Sequence, residues 1–242
     1  MRTNQQVLNE FFAPKNGCGC SASGACFAAG TLVHTKDGLK PIQEIQVGDW
    51  VLSKPEGGSG ETSYKRVTRT VSFEDQAVWT IEVYKVGDLD DKGMYRAVKR
   101  LIGTPSHRVW VVGQGWTELR KVTIHDQLVM GDGALAGVTH INILSKTNIS
   151  NSTAFDLWAW DLNRGKLIDI AEAADGNEEC TPGHLVYAPL GLVCDFDDPA
   201  TYFRVKVYNF EVEDFYTYFV GSFGVWVRDV GGIESIEHQN LS

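Results

Sequence analysis

An internal repeat constrains the fold of this chain more than any other feature of its sequence. The segment GLKPIQEIQVGDWVLS at 38–53 aligns without gaps to GWTELRKVTIHDQLVM at 115–130, an offset of 77 residues. The same offset carries TPSHRVW at 104–110 onto TPGHLVY at 181–187. Two separate segments that share one offset indicate a duplication. The sequence therefore predicts two related subdomains with pseudo-two-fold symmetry within one fold.

Most of the chain after residue 25 consists of short runs rich in β-branched and aromatic residues, separated by Gly, Pro and Asp. The predicted strands include 31–34, 49–53, 66–73, 77–86 and 107–112. Stretches with the period of an amphipathic helix are scarce, and only Lys166–Ala174 predicts a short helix. The predicted class is therefore all-β.

Composition divides the chain into three parts. Residues 1–25 form a leader that ends in the small-residue run GCGCSASGA and has no apolar periodicity. Residues 26–229 carry the strand patterns and form one domain, whose second half is enlarged over about 140–200. Residues 230–242 form a tail of 13 residues, which is too short for a folded domain.

Charge and hydropathy exclude several classes of function. The 242 residues carry 22 basic and 31 acidic side chains, whereas a nucleic-acid-binding protein needs a basic face. No apolar run reaches the roughly 18–20 residues of a membrane span. The start, Met1–Ala13, lacks the basic and apolar regions of a signal peptide. We expect a monomer that binds neither nucleic acid nor a membrane.

The five cysteines are an odd number, which does not suggest a disulfide framework. One residue separates Cys18 from Cys20, which is short for tetrahedral zinc, and no histidine lies near them. We expect neither a metal nor a cofactor. Cys26 stands apart because it follows the flexible leader and directly precedes a predicted strand.

Four motifs in a fixed order resemble the Hedgehog/intein (HINT) autoprocessing domain. They are CFAAGTLV at 26–33, LKPIQEIQVGDWVLS at 39–53, TPSH at 104–107 and VKVYNFEVEDFYTYFVGSFGVWVRD at 205–229. The variety most similar to this chain is the pretoxin type, found before the toxin ends of bacterial polymorphic toxins. The resemblance covers residues 26–229 and implies a horseshoe of short strands.

The resemblance implies self-processing at the Ala25–Cys26 peptide. Attack by the Cys26 sulfur on the adjacent Ala25 carbonyl would convert the amide into a thioester. By position in the family motif, His107 would protonate the leaving amide nitrogen near neutral pH, and Thr104 would hold the scissile peptide. Asn209 stands where many inteins carry an aspartate near the nucleophile, and toxin-associated relatives commonly carry Asn there.

His184 repeats the Thr-Pro-x-His pattern and is the rival of His107 as the acid. We prefer His107, because the sequence VVGQGWTEL that continues its strand resembles the family's continuation. On this interpretation His184 is a structural counterpart.

The C-terminal end departs from the family. Splicing or C-terminal release normally uses a His-Asn pair that ends the last strand, followed by Cys, Ser or Thr. Here Arg228, Asp229 and Val230 take those positions, and Tyr216 matches a histidine that many relatives carry in the preceding strand. A carboxylate lacks the amide nitrogen needed for cyclisation to an imide. We therefore expect N-terminal cleavage without splicing and without efficient cleavage at Asp229–Val230.

Two alternatives to single-turnover self-cleavage stay open. The same fold without the chemistry would be a catalytically dead scaffold or binding module, which the C-terminal losses favour. A cysteine hydrolase acting in trans needs an open cleft, and a cysteine flanked by its own leader argues against one.

The expected partners are the chain's own N-terminal segment as substrate and, in a longer parent, a toxin or effector cargo. We expect a cytoplasmic location before any export with such a parent.

Overall fold

A computed structural model describes residues 25–157, 164–170, 186–189, 192 and 198–229. Within these residues the chain forms eighteen β-strands and three short 3-10 helices, which confirms the all-β prediction. Fourteen strands join into one larger sheet, and the other four form a smaller sheet. In the same part of the chain, no helix is long and apolar enough to cross a membrane.

The larger sheet contains β1 Phe27–Ala28, β2 Leu32–Thr35, β3 Gly38–Pro41, β4 Trp50–Ser53, β5 Ser63–Ala77, β6 Trp79–Lys85, β7 Val98–Gly103, β8 Arg108–Val111, β9 Gly115–Glu118, β10 Gln127–Val129, β11 Leu135–Ile143, β16 Arg204–Val212, β17 Thr217–Val220 and β18 Val225–Arg228. The smaller sheet contains β12 Ser145–Lys146, β13 Thr153–Leu157, β14 Arg164–Asp169 and β15 Val186–Tyr187. The 3-10 helices are η1 Ile42–Glu44, η2 Leu119–Lys121 and η3 Pro199–Thr201.

The path of strands in the larger sheet closes on itself. The strand order is β10-β11-β6-β7-β1-β16-β5-β4-β2-β17-β18-β8-β9, and β3 pairs with β2. Closure comes from β10, which also pairs with β8 through Leu128 and Val111. Buried side chains from all along this path, such as Val33, Ile81 and Val227, form the main core.

The duplication predicted from the first pair of segments is present in the fold. The series β3, η1, β4 recurs 77 residues later as β9, η2, β10. Turn contacts repeat as well: the Asp49 carboxylate accepts a hydrogen bond from Gln46 N at 2.9 Å, and the Asp126 carboxylate accepts one from Thr123 N at 2.7 Å. The shared hydrophobic pattern therefore encodes two copies of one hairpin-and-turn unit.

The described end of the second pair of matched segments, 109–110 and 186–187, does not occupy repeated positions. Strand β8 lies in the larger sheet, whereas β15 pairs with β14 in the smaller sheet. The duplicated counterpart of β8 is instead β2, because β2 pairs with β3 as β8 pairs with β9. The prediction that an offset of 77 relates these two segments is therefore wrong, and the repeat pairs β8 with β2.

The smaller sheet lies within the region predicted as an enlargement, about 140–200. The helix predicted at Lys166–Ala174 is wrong at its start, where β14 pairs with β13, and beyond residue 170 it lies outside the described residues. Gly165 permits this pairing, because a Cβ there would lie 2.3 Å from the Asp156 carbonyl oxygen.

A second hydrophobic cluster joins the two sheets at the position of Cys26. It includes Cys26, which directly precedes β1, and Val207 on β16 of the larger sheet. From the smaller sheet it includes Ala154 and Ile168. The enlarged region is therefore packed against the predicted nucleophile.

Buried charges connect the same two sheets. The Glu82 carboxylate on β6 lies 2.9 Å from Arg100 on β7 and 2.9 Å from Lys166 on β14. Burial alone would raise the pKa of Glu82, but these two cations lower it to about 2. Beside them, His140 Nε2 lies 2.8 Å from the Asp156 carboxylate. Burial opposes protonation of His140, and the Asp156 carboxylate outweighs it and raises the pKa.

Candidate functional site

Cys26 enters the fold directly before β1, a two-residue strand that lies between β7 and β16. Gly103 makes this close approach feasible: a Cβ there would lie 2.9 Å from the Phe27 ring and 3.1 Å from the Cys26 carbonyl oxygen. Cys26 is fully buried, and burial raises the pKa of its thiol to about 12. The Ala25–Cys26 peptide is therefore held inside the fold.

Thr104 contacts this peptide on its amide side. The residue follows β7, and its backbone N donates a hydrogen bond to the Cys26 carbonyl oxygen at 2.8 Å. Its side-chain Oγ1 accepts a hydrogen bond from Cys26 N at 3.0 Å. The Thr104 hydroxyl therefore touches the nitrogen atom that would leave if the peptide were cleaved.

Asn209 contacts the same peptide on its carbonyl side. Strand β16 lies next to β1, and from it Asn209 Nδ2 donates a hydrogen bond to the Ala25 carbonyl oxygen. The other end of the amide, Oδ1, accepts hydrogen bonds from Phe210 N at 2.7 Å and from the Tyr218 hydroxyl at 2.8 Å. Asn209 therefore has both lone-pair sites of Oδ1 occupied and its donor end turned to the peptide.

His107 lies beside this peptide and is completely buried. Its ring centre is 4.0 Å from that of Phe27. Neither ring nitrogen has a hydrogen-bond partner among the described residues, which is rare for a buried polar group. Burial lowers the pKa of His107 to about 3, and the nearby backbone of Ala25, which lies outside hydrogen-bond geometry, acts in the opposite direction. The imidazole is thus neutral at neutral pH, so the ready proton donor suggested by the sequence is lacking in this closed state.

Tyr218 on β17 is a site residue that the sequence did not indicate. It is fully buried, and its ring centre lies 4.2 Å from that of Phe210 and 6.5 Å from that of His107. Burial and the charges of Cys26 and Asp229 raise its pKa well above the usual range. The signal in the sequence was a hydroxyl-bearing ring within the apolar run TYFV, next to a phenylalanine.

The C-terminal residues lie in the same interior. The buried Asp229 carboxylate accepts a hydrogen bond from Val212 N at 2.6 Å, and Asp229 N donates to the Tyr216 carbonyl oxygen at 2.9 Å. Tyr216 is half-buried and has a φ of 55°. The Arg228 guanidinium lies 2.8 Å from the carboxylate of Glu56, another residue that the sequence did not indicate. The position of the usual histidine is thus occupied by an ion-paired cation.

Some predicted positions, His184, Val230 and every cysteine except Cys26, lie outside the described residues. Within the described ranges, no group of three or more His, Cys, Asp or Glu side chains is placed to hold a metal ion. Of the predicted residues, the structure brings together Ala25, Cys26, Thr104, His107 and Asn209.

Comparison with known proteins identifies the family. The fold is similar to the solution structure of a bacterial intein-like domain from Clostridium thermocellum, with a TM-score of 0.52 and 23% identity over 86% of this chain and 100% of that one. A DnaB intein from Synechocystis gives a TM-score of 0.48 and 8% identity over 85% of this chain and 99% of that one. No curated protein sequence matches significantly. The pretoxin HINT domain profile matches residues 32–162, more than half of the chain. The chain therefore belongs to the pretoxin HINT family of autoprocessing-type domains.

Proposed function

We propose that the chain cleaves its own Ala25–Cys26 peptide once, by an N-to-S acyl shift. The observation that carries this proposal is that side chains hold both polar atoms of this one peptide bond. Asn209 Nδ2 donates to the Ala25 carbonyl oxygen, and Thr104 Oγ1 accepts from Cys26 N. A peptide fixed in this way keeps its carbonyl carbon within reach of the sulfur on the next residue.

Asn209 is assigned as the oxyanion donor. When Cys26 Sγ attacks the Ala25 carbonyl carbon, negative charge develops on the carbonyl oxygen, and the Asn209 N–H already points at that atom. A preorganised donor of this kind typically contributes about 10²–10³-fold to the rate. Asn209 thus replaces the family's aspartate with a neutral group that favours the developing charge.

His107 is assigned as a proton relay. The thiol and the imidazole are both neutral in the closed site, because their pKa values are about 12 and about 3. As the S–C bond forms, His107 takes the thiol proton, and as the C–N bond breaks it returns a proton to the Cys26 nitrogen. The products are a thioester on Cys26 Sγ and the free amino group of Cys26. The buried site gains no net charge, which its low polarity requires.

The thioester is less stable than the amide, so release needs an acyl acceptor. Water or an external thiol would take the Ala25 acyl group and free residues 1–25. The substrate is then the chain's own N-terminal segment, and no cofactor enters the reaction. In a longer parent protein the module would separate a toxin or effector cargo from its neighbour.

The proposal excludes splicing. Asp229 offers a carboxylate that already accepts a hydrogen bond from Val212 N, and it has no side-chain nitrogen with which to form an imide. Arg228 is paired with Glu56, and a guanidinium group does not serve as a proton donor and acceptor as the usual histidine would. C-terminal cleavage is therefore not expected.

Burial of Cys26 favours a second candidate function, that of a catalytically dead scaffold or binding module. A buried thiol whose pKa is about 12 is inert unless its neighbours activate it. The same burial argues against a cysteine hydrolase acting in trans, because a foreign peptide would have to displace β1.

Intact mass of the freshly purified chain, with and without hydroxylamine or a small thiol, tests the proposal. We expect loss of residues 1–25 in the wild type and in Cys194→Ala, a control for thiol removal elsewhere. Cys26→Ala should stay intact, because no acyl-accepting side chain remains at that position. A wild-type chain that keeps its full mass after days with nucleophile would support the scaffold instead.

A further inference from the structure

We propose that Tyr218 is a positioning residue that aligns Asn209 for reaction at the Ala25 carbonyl. The inference rests on the proposed self-cleavage and names a further residue of that site. Its basis is a chain of two contacts. The Tyr218 hydroxyl donates to Asn209 Oδ1 at 2.8 Å, and Asn209 Nδ2 donates to the Ala25 carbonyl oxygen.

The neighbours of Asn209 distinguish the two ends of its side-chain amide. An asparagine amide has a donor end and an acceptor end of nearly the same shape, so its neighbours decide which way it points. Oδ1 meets two donors, the Tyr218 hydroxyl and Phe210 N, and Nδ2 meets an acceptor. A flipped amide would put an oxygen against the Ala25 oxygen and an NH2 group against Phe210 N, and the Tyr218 hydroxyl would lose the oxygen to which it donates. Tyr218 therefore helps to select the one orientation in which Asn209 can stabilise an oxyanion.

The ring and the hydroxyl of Tyr218 make different contacts, and packing explains only the ring. All four residues of β17 are buried. The next residue, Phe219, is a buried aromatic residue without a hydroxyl, so burial in this strand does not require one. The Tyr218 ring already packs against Phe210. A phenylalanine at 218 would keep this packing, so the contact with Asn209 accounts for the hydroxyl.

The Tyr218 hydroxyl can also affect the reaction through its hydrogen bond to Asn209. Burial and the nearby Asp229 carboxylate raise the pKa of Tyr218 and keep its hydroxyl protonated, so it remains a donor at working pH values. A donor on Oδ1 draws electron density through the amide and strengthens the Nδ2–H that faces the peptide. The effect of Tyr218 on the rate must therefore pass through Asn209.

The first arm of the test uses NMR on the non-cleaving Cys26→Ala chain. The side-chain amide signals of Asn209 are assigned by their loss in Asn209→Ala. Tyr218→Phe should shift these signals, whereas Tyr208→Phe should leave them in place. Tyr208 is a matched control because it neighbours Asn209 on β16 and its side chain lies on the other face of the strand. Unchanged Asn209 signals in a folded Tyr218→Phe chain would overturn the proposal.

The second arm measures N-terminal cleavage in the full chain. Tyr218→Phe should slow cleavage about 10-fold, and Tyr208→Phe should not. In an Asn209→Ala background, Tyr218→Phe should cause no further loss, because its route to the peptide is gone. The same fold-loss in both backgrounds would assign a structural role and overturn the proposal. If the wild type does not cleave at all, the proposed function fails, and the NMR arm alone decides the positioning role.

Discussion

A single peptide bond organises the site, and the residues around it come from two distant parts of the chain. Thr104 and His107 lie in the short connection between β7 and β8, and Asn209 lies within β16. Buried polar atoms nearly always have partners, yet neither ring nitrogen of His107 has one among the described residues. The ring packs against Phe27, but burying two unpartnered nitrogens is costly, and such groups are found mainly at functional sites.

His107→Ala should slow N-terminal cleavage by about 10²–10⁴-fold, because no other group in the motif would carry the proton from sulfur to nitrogen. The rate is measured by intact mass over time with excess thiol. His184→Ala is the matched control, since it removes the only other histidine in a Thr-Pro-x-His motif, and it should cleave at the wild-type rate. The opposite pattern would assign the relay to His184.

The cleavage rate should be flat between about pH 5 and pH 9 when saturating hydroxylamine makes the acyl shift limiting. The pKa of His107 is about 3, so acidification across this range adds no proton to the imidazole. The pKa of Cys26 is about 12, so alkaline conditions in this range remove none from the thiol. A rate that rises as the pH falls through 7 would contradict the neutral relay and indicate an imidazolium acid.

Sequence motifs indicated the residues that touch the peptide but not those that act through a partner. Cys26, Thr104 and His107 belong to short motifs of recognisable order, and Asn209 has a fixed place in its strand. Tyr218 gains its role only through contact with Asn209. Such contacts depend on how strands pair, which local sequence does not encode.

Among the elements, runs rich in β-branched and aromatic residues predicted several strands of the larger sheet, such as β4 and β8, and the repeat predicted the hairpin-and-turn units. The smaller sheet was less predictable. Its strand β14 carries a pattern that also suits a helix, and only pairing with β13 decides between the two. Its position against Cys26 also depends on buried contacts from distant strands.

Glu82→Gln should loosen the smaller sheet, because it leaves Arg100 and Lys166 without their shared carboxylate. Breaking a buried ion pair from one side typically costs about 3–5 kcal/mol of unfolding free energy. Urea unfolding measures this loss, and hydrogen exchange should show reduced protection in β13 and β14. Cys26 should then react faster with alkylating reagents.

The control for this change is Glu211→Gln, which breaks a solvent-exposed pair with Arg69. Exposed pairs contribute at most about 1 kcal/mol, so this variant should unfold almost like the wild type. Equal losses in the two variants would show that the buried pair does not hold the smaller sheet.

On the scale of the whole molecule, the fold brings its two chemically distinct ends to one centre. Tyr218 lies close enough to both Cys26 and Asp229 for their charges to raise its pKa. The two ends of the domain therefore lie close together, and on the proposed function the residues at one end do not support reaction there. The proposed loss of splicing lies in side chains and not in the fold.

A chain placed between two reporter proteins should release the N-terminal reporter and should not join the two. Gel electrophoresis with intact mass identifies each product. Cys26→Ala should leave the three-part fusion whole, which separates self-cleavage from proteolysis. A ligated reporter pair would contradict the assignment of Arg228 and Asp229 as incompatible with splicing.

The closed strand path has a consequence for how such a module coexists with its neighbours. Unpaired backbone along a sheet margin is where strands of other molecules add and aggregates begin. In the described part of the larger sheet, the strands with one partner are β3 and β9, each four residues long. β3 ends in Pro41, which has no N–H to offer, and carries the charge of Lys40. The two strands at this margin therefore offer a neighbouring cargo little backbone on which to add a strand.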